Sequence, residues 1–222
     1  MKNEVTRESF LRCVEHHQMT VHRDDGLYRH LTFSNPKTSN QHFHITTWPW
    51  HLTISGDMGT YVYARLDDMF NFFRNSNDDW GINHTYWSQK LEAPKPEHVR
   101  EFDIEKVHEN LRDEFEGWER DFRDDHAPDT EEEAEDLEAR VQEEKDLFQE
   151  LFDAGDEWSA VERIREWDSR DDGVNLEGFF EGDYTSLAYH YVWCCYAIVW
   201  AIRQYDASQL AAKAQAAKEV VQ

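Results

Sequence analysis

Three histidines, His42, His44 and His51, lie close together in the chain, and Asp57 follows shortly after them. Side chains alternate along a strand, so His42 and His44 would share one face. A tight turn would bring His51 onto the next strand. Imidazoles beside a carboxylate can hold zinc and leave one coordination position open. One histidine with a Tyr or Thr partner could instead act as a general base. Neither chemistry has a supporting motif. The chain contains no H-E-x-x-H, no paired C-x-x-C and no G-x-S-x-G. Gly56-x-x-Gly59 is too short for a phosphate loop and lacks a following Lys-Ser or Lys-Thr, so it reads as a hairpin turn. Two histidines at i,i+2 are ordinary in a chain that has 12 of them. The set His42, His44 and His51 is therefore the alternative reading, and the expectation is no metal, no cofactor and no catalysis. Trp48 and Trp50 read as a packed turn. The pairs Asp67-Asp68 and Asp171-Asp172 read as capping and turn residues rather than glycosidase acids.

A second kind of chemistry is carried by charge. Residues 101–157 hold 25 Asp or Glu and 6 Lys or Arg, a balance of −19 in a chain whose total is −24. Read at a helical period, Ile104, Val107, Leu111, Phe115, Trp118 and Phe122 form an apolar stripe. Glu105, Glu109, Asp113, Glu116 and Asp124 lie opposite. A second helix starts at Thr130, where Thr130 and Glu133 form a capping-box pattern. Its stripe is Ala134, Leu137, Val141, Phe148 and Phe152, and its outer face is Glu132, Asp136, Glu143, Asp146 and Glu150. His126-Ala127-Pro128-Asp129 makes the turn between them. A helix made only for solubility alternates signs at i,i+4, because each opposite pair adds roughly 0.2–0.5 kcal/mol and each like pair costs about the same. Here acid follows acid at 105, 109 and 113, and again at 132 and 136. These ten carboxylates are the expected contact surface for a basic partner. A pI near 4.7 argues against direct binding to nucleic acid or an anionic membrane.

The remaining elements position these two groups. A short helix is expected over 3–18, with Phe10, Leu11 and Val14 on its apolar side. After Asp24-Asp25-Gly26 the period changes to two, which predicts strands at 27–33, 41–47, 51–55 and 60–64 in an antiparallel meander. A two-residue Pro49-Trp50 loop puts Ile45 opposite Ile54 and His44 opposite Ser55, with His30 free to join the histidine face. A helix over 66–74 covers the apolar face through Leu66, Met69, Phe70 and Phe73, and Asn75 to Asp79 ends it. Residues 82–92 read as a fifth strand. Pro94 and Pro96 mark a linker. Trp158, Val161, Ile164 and Trp167 form a further helical stripe, closed by Arg170-Asp171-Asp172-Gly173. Leu187–Ile202 is a nearly apolar run shorter than the roughly 20 residues of a membrane span. It reads as a central buried helix, with a homodimer contact as a second use. From Ser208 the chain reads as a surface helix or frayed tail. The fold class is α+β: an N-terminal antiparallel β-meander with short helices over 1–95, then an acidic helical bundle over 96–222. Three cysteines, two of them adjacent, make no secreted disulfide framework and suit a reducing cytoplasm.

The stretch His44-Ile45-Thr46-Thr47-Trp48-Pro49, then His51 to Tyr61, then Asp68-Met69-Phe70 and Phe72-Phe73, resembles an uncharacterised family encoded by bacteriophages and prophages. The resemblance covers about residues 42–73. It implies a phage origin and the host cytoplasm, and carries over no activity. Together with the acidic helices it leads to the expectation of a nucleic-acid mimic. The ten carboxylates would occupy a basic groove on a host defence or DNA-processing protein. Lys and Arg that normally meet phosphates would meet Glu and Asp.

Overall fold

The computed structural model of the protein describes residues 4–74, 80–167 and 172–220. The architecture is α+β. The chain divides into two compact units, one of Met1–Arg100 with Leu187–Gln222, the other of Glu101–Ser186.

In the first unit, α1 (Arg7–Val14) starts at Thr6, whose hydroxyl oxygen accepts from the Ser9 amide at 3.1 Å. It is followed by β1 (Gln18–Asp25), β2 (Tyr28–Asn35), β3 (Thr38–Trp48), β4 (His51–Gly56) and β5 (Gly59–Ala64). Two short helices, α2 (Met69–Phe73) and α3 (His84–Ser88), precede β6 (Leu91–Ala93). All six strands pair antiparallel in sequence order. The register across the Pro49-Trp50 loop places Ile45 opposite Ile54 and His44 opposite Ser55, as the apolar pattern requires. Gly56 closes the next hairpin at φ 153°, where an added Cβ would lie 2.2 Å from the His42 carbonyl oxygen. Only glycine tolerates that approach.

The apolar sheet face carries Leu31, Phe33, Phe43, Ile45, Leu52, Ile54 and Tyr63, all fully buried. It joins one core with the C-terminal helix, Tyr189–Val220, through Tyr191, Trp193, Ile198 and Ile202. The first half of that helix is apolar all round, which is the signature of a central helix. The run suggested as a dimer contact is therefore inside its own core. Among the described residues no helix is long and apolar enough to cross a membrane. At the start of α2, Arg29 is only 8% exposed and donates to Asp68 through both terminal nitrogens, at 2.9 and 3.0 Å. Its guanidinium lies 4.4 Å over the Phe70 ring, and Asp68 also caps α2 by accepting from the Phe70 amide.

Several expected boundaries differ. The helix over 3–18 ends at Val14, and Gln18–Asp25 is a sixth strand, β1. As a mostly exposed edge strand it has only Met19 partly buried, so its sequence shows no alternation. The strand expected over 82–92 is instead α3 followed by β6: Asn83 accepts from the Tyr86 amide at 2.9 Å and starts a helical turn. Leu66 lies before α2 and is exposed. The expectation for Asn75 to Asp79 lies outside the described residues. The expected division at 95/96 places the C-terminal helix with the acidic bundle. The observed units group it with the sheet, because its apolar circumference needs the sheet face to be buried.

Two short strands, β7 (Arg100–Phe102) and β8 (Thr185–Leu187), pair with each other. The second unit is helical: α4 (Ile104–Asp125), α5 (Glu131–Gln149) and α6 (Glu157–Glu166). α4 and α5 fold back on each other. The Phe115 and Phe148 rings lie 5.3 Å apart, and Phe122, Leu137 and Val141 close the far end. The capping box at Thr130 and Glu133 is formed. The stripe expected for α6 is only partly present. Ile164 is buried, as is Ala160, whereas Trp158 is 71% exposed. The closing segment Arg170-Asp171 lies outside the described residues. The segment after it is held from three directions. Trp118 Nε1–H donates to the Asp172 carbonyl at 2.7 Å, Trp167 Nε1–H donates to that of Val174 at 2.8 Å, and Glu144 accepts from the Val174 amide at 3.0 Å. Glu144 is 4% exposed, so Glu144→Ala leaves a buried amide unanswered. The expected cost is about 1–3 kcal/mol, read as a shift of the urea midpoint at constant slope. Glu144→Gln keeps an acceptor and is expected to cost less. Equal midpoints for wild type and Glu144→Ala would remove the bond from the account.

Candidate functional site

α4 and α5 set the directions of their acidic side chains. At 3.6 residues per turn, Glu105, Glu109, Asp113, Glu116 and Asp124 span an arc of about 100°, and Glu132, Asp136, Glu143, Asp146 and Glu150 span about 80°. Each arc points away from its helix's buried stripe, which is Val107, Leu111, Phe115 and Phe122 on α4 and Leu137, Val141 and Phe148 on α5. All ten carboxylates are exposed.

Four of the six Lys or Arg of residues 101–157 are directed elsewhere. Arg123 binds Glu119 and Glu138, an arrangement that raises its pKa and lowers that of Glu138. Arg120 pairs with Asp121 and Arg140 with Asp172. Lys106 donates to the Thr185 carbonyl at 2.7 Å. Glu133 is used by the capping box, whose backbone amides lower its pKa. Glu143 has an interaction of its own. The other nine make no ion pair with Lys or Arg among the described residues. Among the described residues Asp146 accepts only from the Gln142 amide group, at 2.7 Å. An exposed carboxylate without a cation keeps its full charge available to a partner, and like-signed neighbours at i,i+4 raise the local potential.

The histidine alternative divides. His42 Nδ1 lies 3.0 Å from the Asp57 carboxylate and 2.9 Å from the Ser39 carbonyl oxygen. His44 is its neighbour on the same face, with ring centroids 5.8 Å apart. His51 is paired with Trp48, four strand positions from His44, a distance of roughly 13 Å at strand rise. It stacks on Trp48 at 4.8 Å and its Nε2 lies 3.0 Å from Glu92. The three therefore do not converge, and among the described residues no group of three or more His, Cys, Asp or Glu could hold a metal ion.

The sheet does assemble a different row. Thr32 Oγ1 lies 2.8 Å from His22 Nε2 and 2.9 Å from His44 Nδ1, and His30 lies 4.7 Å from His22 and 5.9 Å from His44, ring to ring. Burial pushes the His44 pKa down, and the charges of His42, His30 and His22 push it further. A neutral imidazole bonded to a hydroxyl can relay a proton. A recess of about 660 Å³ beside it is lined by Thr32, Ser34, Lys37 and His42, and His22, His30 and His44 are not among its lining residues. His30 joins this row as its alternation indicates. His22 was not legible, because β1 was not. No protein-family model matches the chain, and neither does any curated protein or any solved structure.

Proposed function

We propose that the helical unit acts as an acidic nucleic-acid mimic that docks on the basic groove of a host defence or DNA-processing protein and blocks it. On this reading the protein is phage-encoded and works in the host cytoplasm. The observation that carries the proposal is the fate of the charges: among the described residues nine outward carboxylates make no ion pair with Lys or Arg, and four of the six Lys or Arg of residues 101–157 engage other groups. The mechanism is competition. The partner's Lys and Arg bind carboxylates in place of phosphates through charge-assisted hydrogen bonds, and complementary potentials speed the encounter.

The test is displacement of a labelled DNA duplex from purified nucleic-acid-binding proteins, titrated at 50 mM and 200 mM salt. Duplex binding through six to ten phosphate contacts loses about 10³–10⁵ in affinity over that range. Carboxylates spread over two helices release fewer condensed counterions, so the expected weakening is smaller, about a hundredfold. Displacement that is indifferent to salt would show that these charges do not carry the contact.

A further inference from the structure

The acidic stretch has six Lys or Arg, and four of them are engaged: Lys106 with a carbonyl, Arg120, Arg123 and Arg140 with carboxylates. The two that remain, Arg112 and Lys145, make no ion pair or hydrogen bond among the described residues, although acids surround them. Both line the same groove, a recess of about 460 Å³ between α4 and α5. That volume lies within the range of small-molecule sites, roughly 300–1,000 Å³. Its apolar wall is aromatic. The Phe148 ring lies 5.3 Å from Phe115 and 6.1 Å from Phe152. The Arg112 guanidinium is held 5.5 Å over the Phe152 ring, and the His108 ring lies 5.2 Å from the same phenyl group. His108 Nε2, on the groove wall, is shut off from solvent and has no hydrogen-bond partner among the described residues. Glu116 and Glu119 stand at the rim, and Glu119 is taken by Arg123.

We infer that this groove binds a small aromatic oxyanion, a ring bearing a carboxylate or a phosphate. The ring would pack among the three phenylalanines, as offset or edge contacts between aromatic groups favour. The oxyanion would accept from Arg112 and Lys145. A guanidinium fork matches either oxyanion. Of the two carboxylates that line the groove, Glu119 is taken by Arg123, which sets Glu116 alone against the two cations, and carboxylates farther than about 8–10 Å are screened at physiological salt.

The experiment is an NMR titration of the full chain at 150 mM salt with benzoate, phenyl phosphate, inorganic phosphate and the cationic ring benzamidine. Benzoate, phenyl phosphate or both should shift the ring signals of Phe115, Phe148 and Phe152 saturably, and the tighter of the two identifies the oxyanion. Inorganic phosphate should bind at least about tenfold more weakly than phenyl phosphate, and benzamidine should not saturate the groove. Arg112→Gln and Lys145→Gln are surface changes that keep the fold, checked by near-UV circular dichroism. Each should weaken binding about tenfold, the loss of one charge-assisted bond. The inference is overturned if neither oxyanion shifts these rings. It also falls if benzamidine or bare phosphate binds as tightly, or if both variants bind unchanged.

Discussion

Asp68→Ala is expected to lower unfolding stability by about 3 kcal/mol. The reason is what it leaves behind. Arg29 is 8% exposed and its two terminal nitrogens both donate to Asp68. Removing the carboxylate strands a shielded guanidinium whose remaining neighbours include Phe70 and Tyr205. Breaking a buried pair from one side costs about 3–5 kcal/mol. The Asp68 side chain keeps 18% exposure, which places the effect at the low end. Asp68→Asn retains an N-cap oxygen for the Phe70 amide and should recover about 1 kcal/mol of the loss. Replacing both partners, Arg29→Met with Asp68→Asn, removes the stranded charge and should recover most of the rest. The pH dependence has a definite sign. Burial pushes the Asp68 carboxyl up, but the bonds from Arg29 and the Phe70 amide, with the charges of Arg29 and Arg74, outweigh it and hold it below its ordinary value. A depressed folded pKa contributes stability that is complete above the unfolded pKa and is lost as pH falls through the folded one. Denaturant midpoints measured from pH 6 downward should show that acid-side decline shrink in Asp68→Asn. A double variant as unstable as Asp68→Ala would mean that the ion pair is not what holds α2 to the sheet.

How much of this was written in the chain depends on burial. The hairpin from β3 to β4 was legible to the residue, because a slip by one would turn Ile45 and Ile54 to the polar face. The α4 and α5 stripes were legible for the same reason, since Val107, Leu111, Phe115 and Phe148 recur at helical spacing and are all buried. β1 was hidden because an edge strand with one partly buried side chain has little apolar period to show. α3 was misread because five residues cannot separate a period of two from one of 3.6. Glu144 was hidden by its type: a carboxylate in an acidic run reads as outward, yet its position on α5 falls on the buried side between Val141 and Phe148. That spacing was the available signal.

The candidate surface was legible in direction and not in state. Helical spacing places Glu109 and Asp146 outward. Whether an Arg from the facing helix neutralises them depends on rotamers and on which acids compete for it. Arg123 could have met several carboxylates and takes Glu119 and Glu138. Where each cation goes, rather than the count of acids, decides whether the two arcs stay open: Lys106, Arg120, Arg123 and Arg140 bind groups outside them. The groove with Arg112 and Lys145 shows the converse. His108 and Arg112 are one turn apart on α4, but nothing in the sequence says that Lys145 and Phe152 face them.

The double reversal Glu109→Lys with Asp146→Lys is expected to weaken docking on a basic groove about a hundredfold while leaving the protein as stable or slightly more stable. The two effects have opposite signs for one reason. Within the helices, Glu109 has Glu105 and Asp113 at i,i+4 but also Lys106 and Arg112 at i,i+3, so its reversal is near neutral, whereas Asp146 has Glu143 at i,i+3 and Glu150 at i,i+4, and its reversal turns two like pairs into opposite ones. At roughly 0.2–0.5 kcal/mol for each pair lost or gained, stability should rise by about 1 kcal/mol, less the bond that Gln142 donates to Asp146. Against a partner's Lys and Arg the same lysines become like charges, and such juxtaposition costs several kcal/mol. At about 1.4 kcal/mol per factor of ten, that is a hundredfold or more. Glu109→Gln with Asp146→Asn removes attraction without adding repulsion and should fall between. The control is Glu4→Lys with Glu97→Lys, two exposed acids of the sheet unit whose reversal changes the net charge by the same amount. If docking depends on the two helical arcs, duplex displacement by this control should stay within about threefold of wild type, since neither residue belongs to those helices. Equal losses in the helical variant and the control would show that net charge alone governs binding, and the proposed contact surface would have no claim to it.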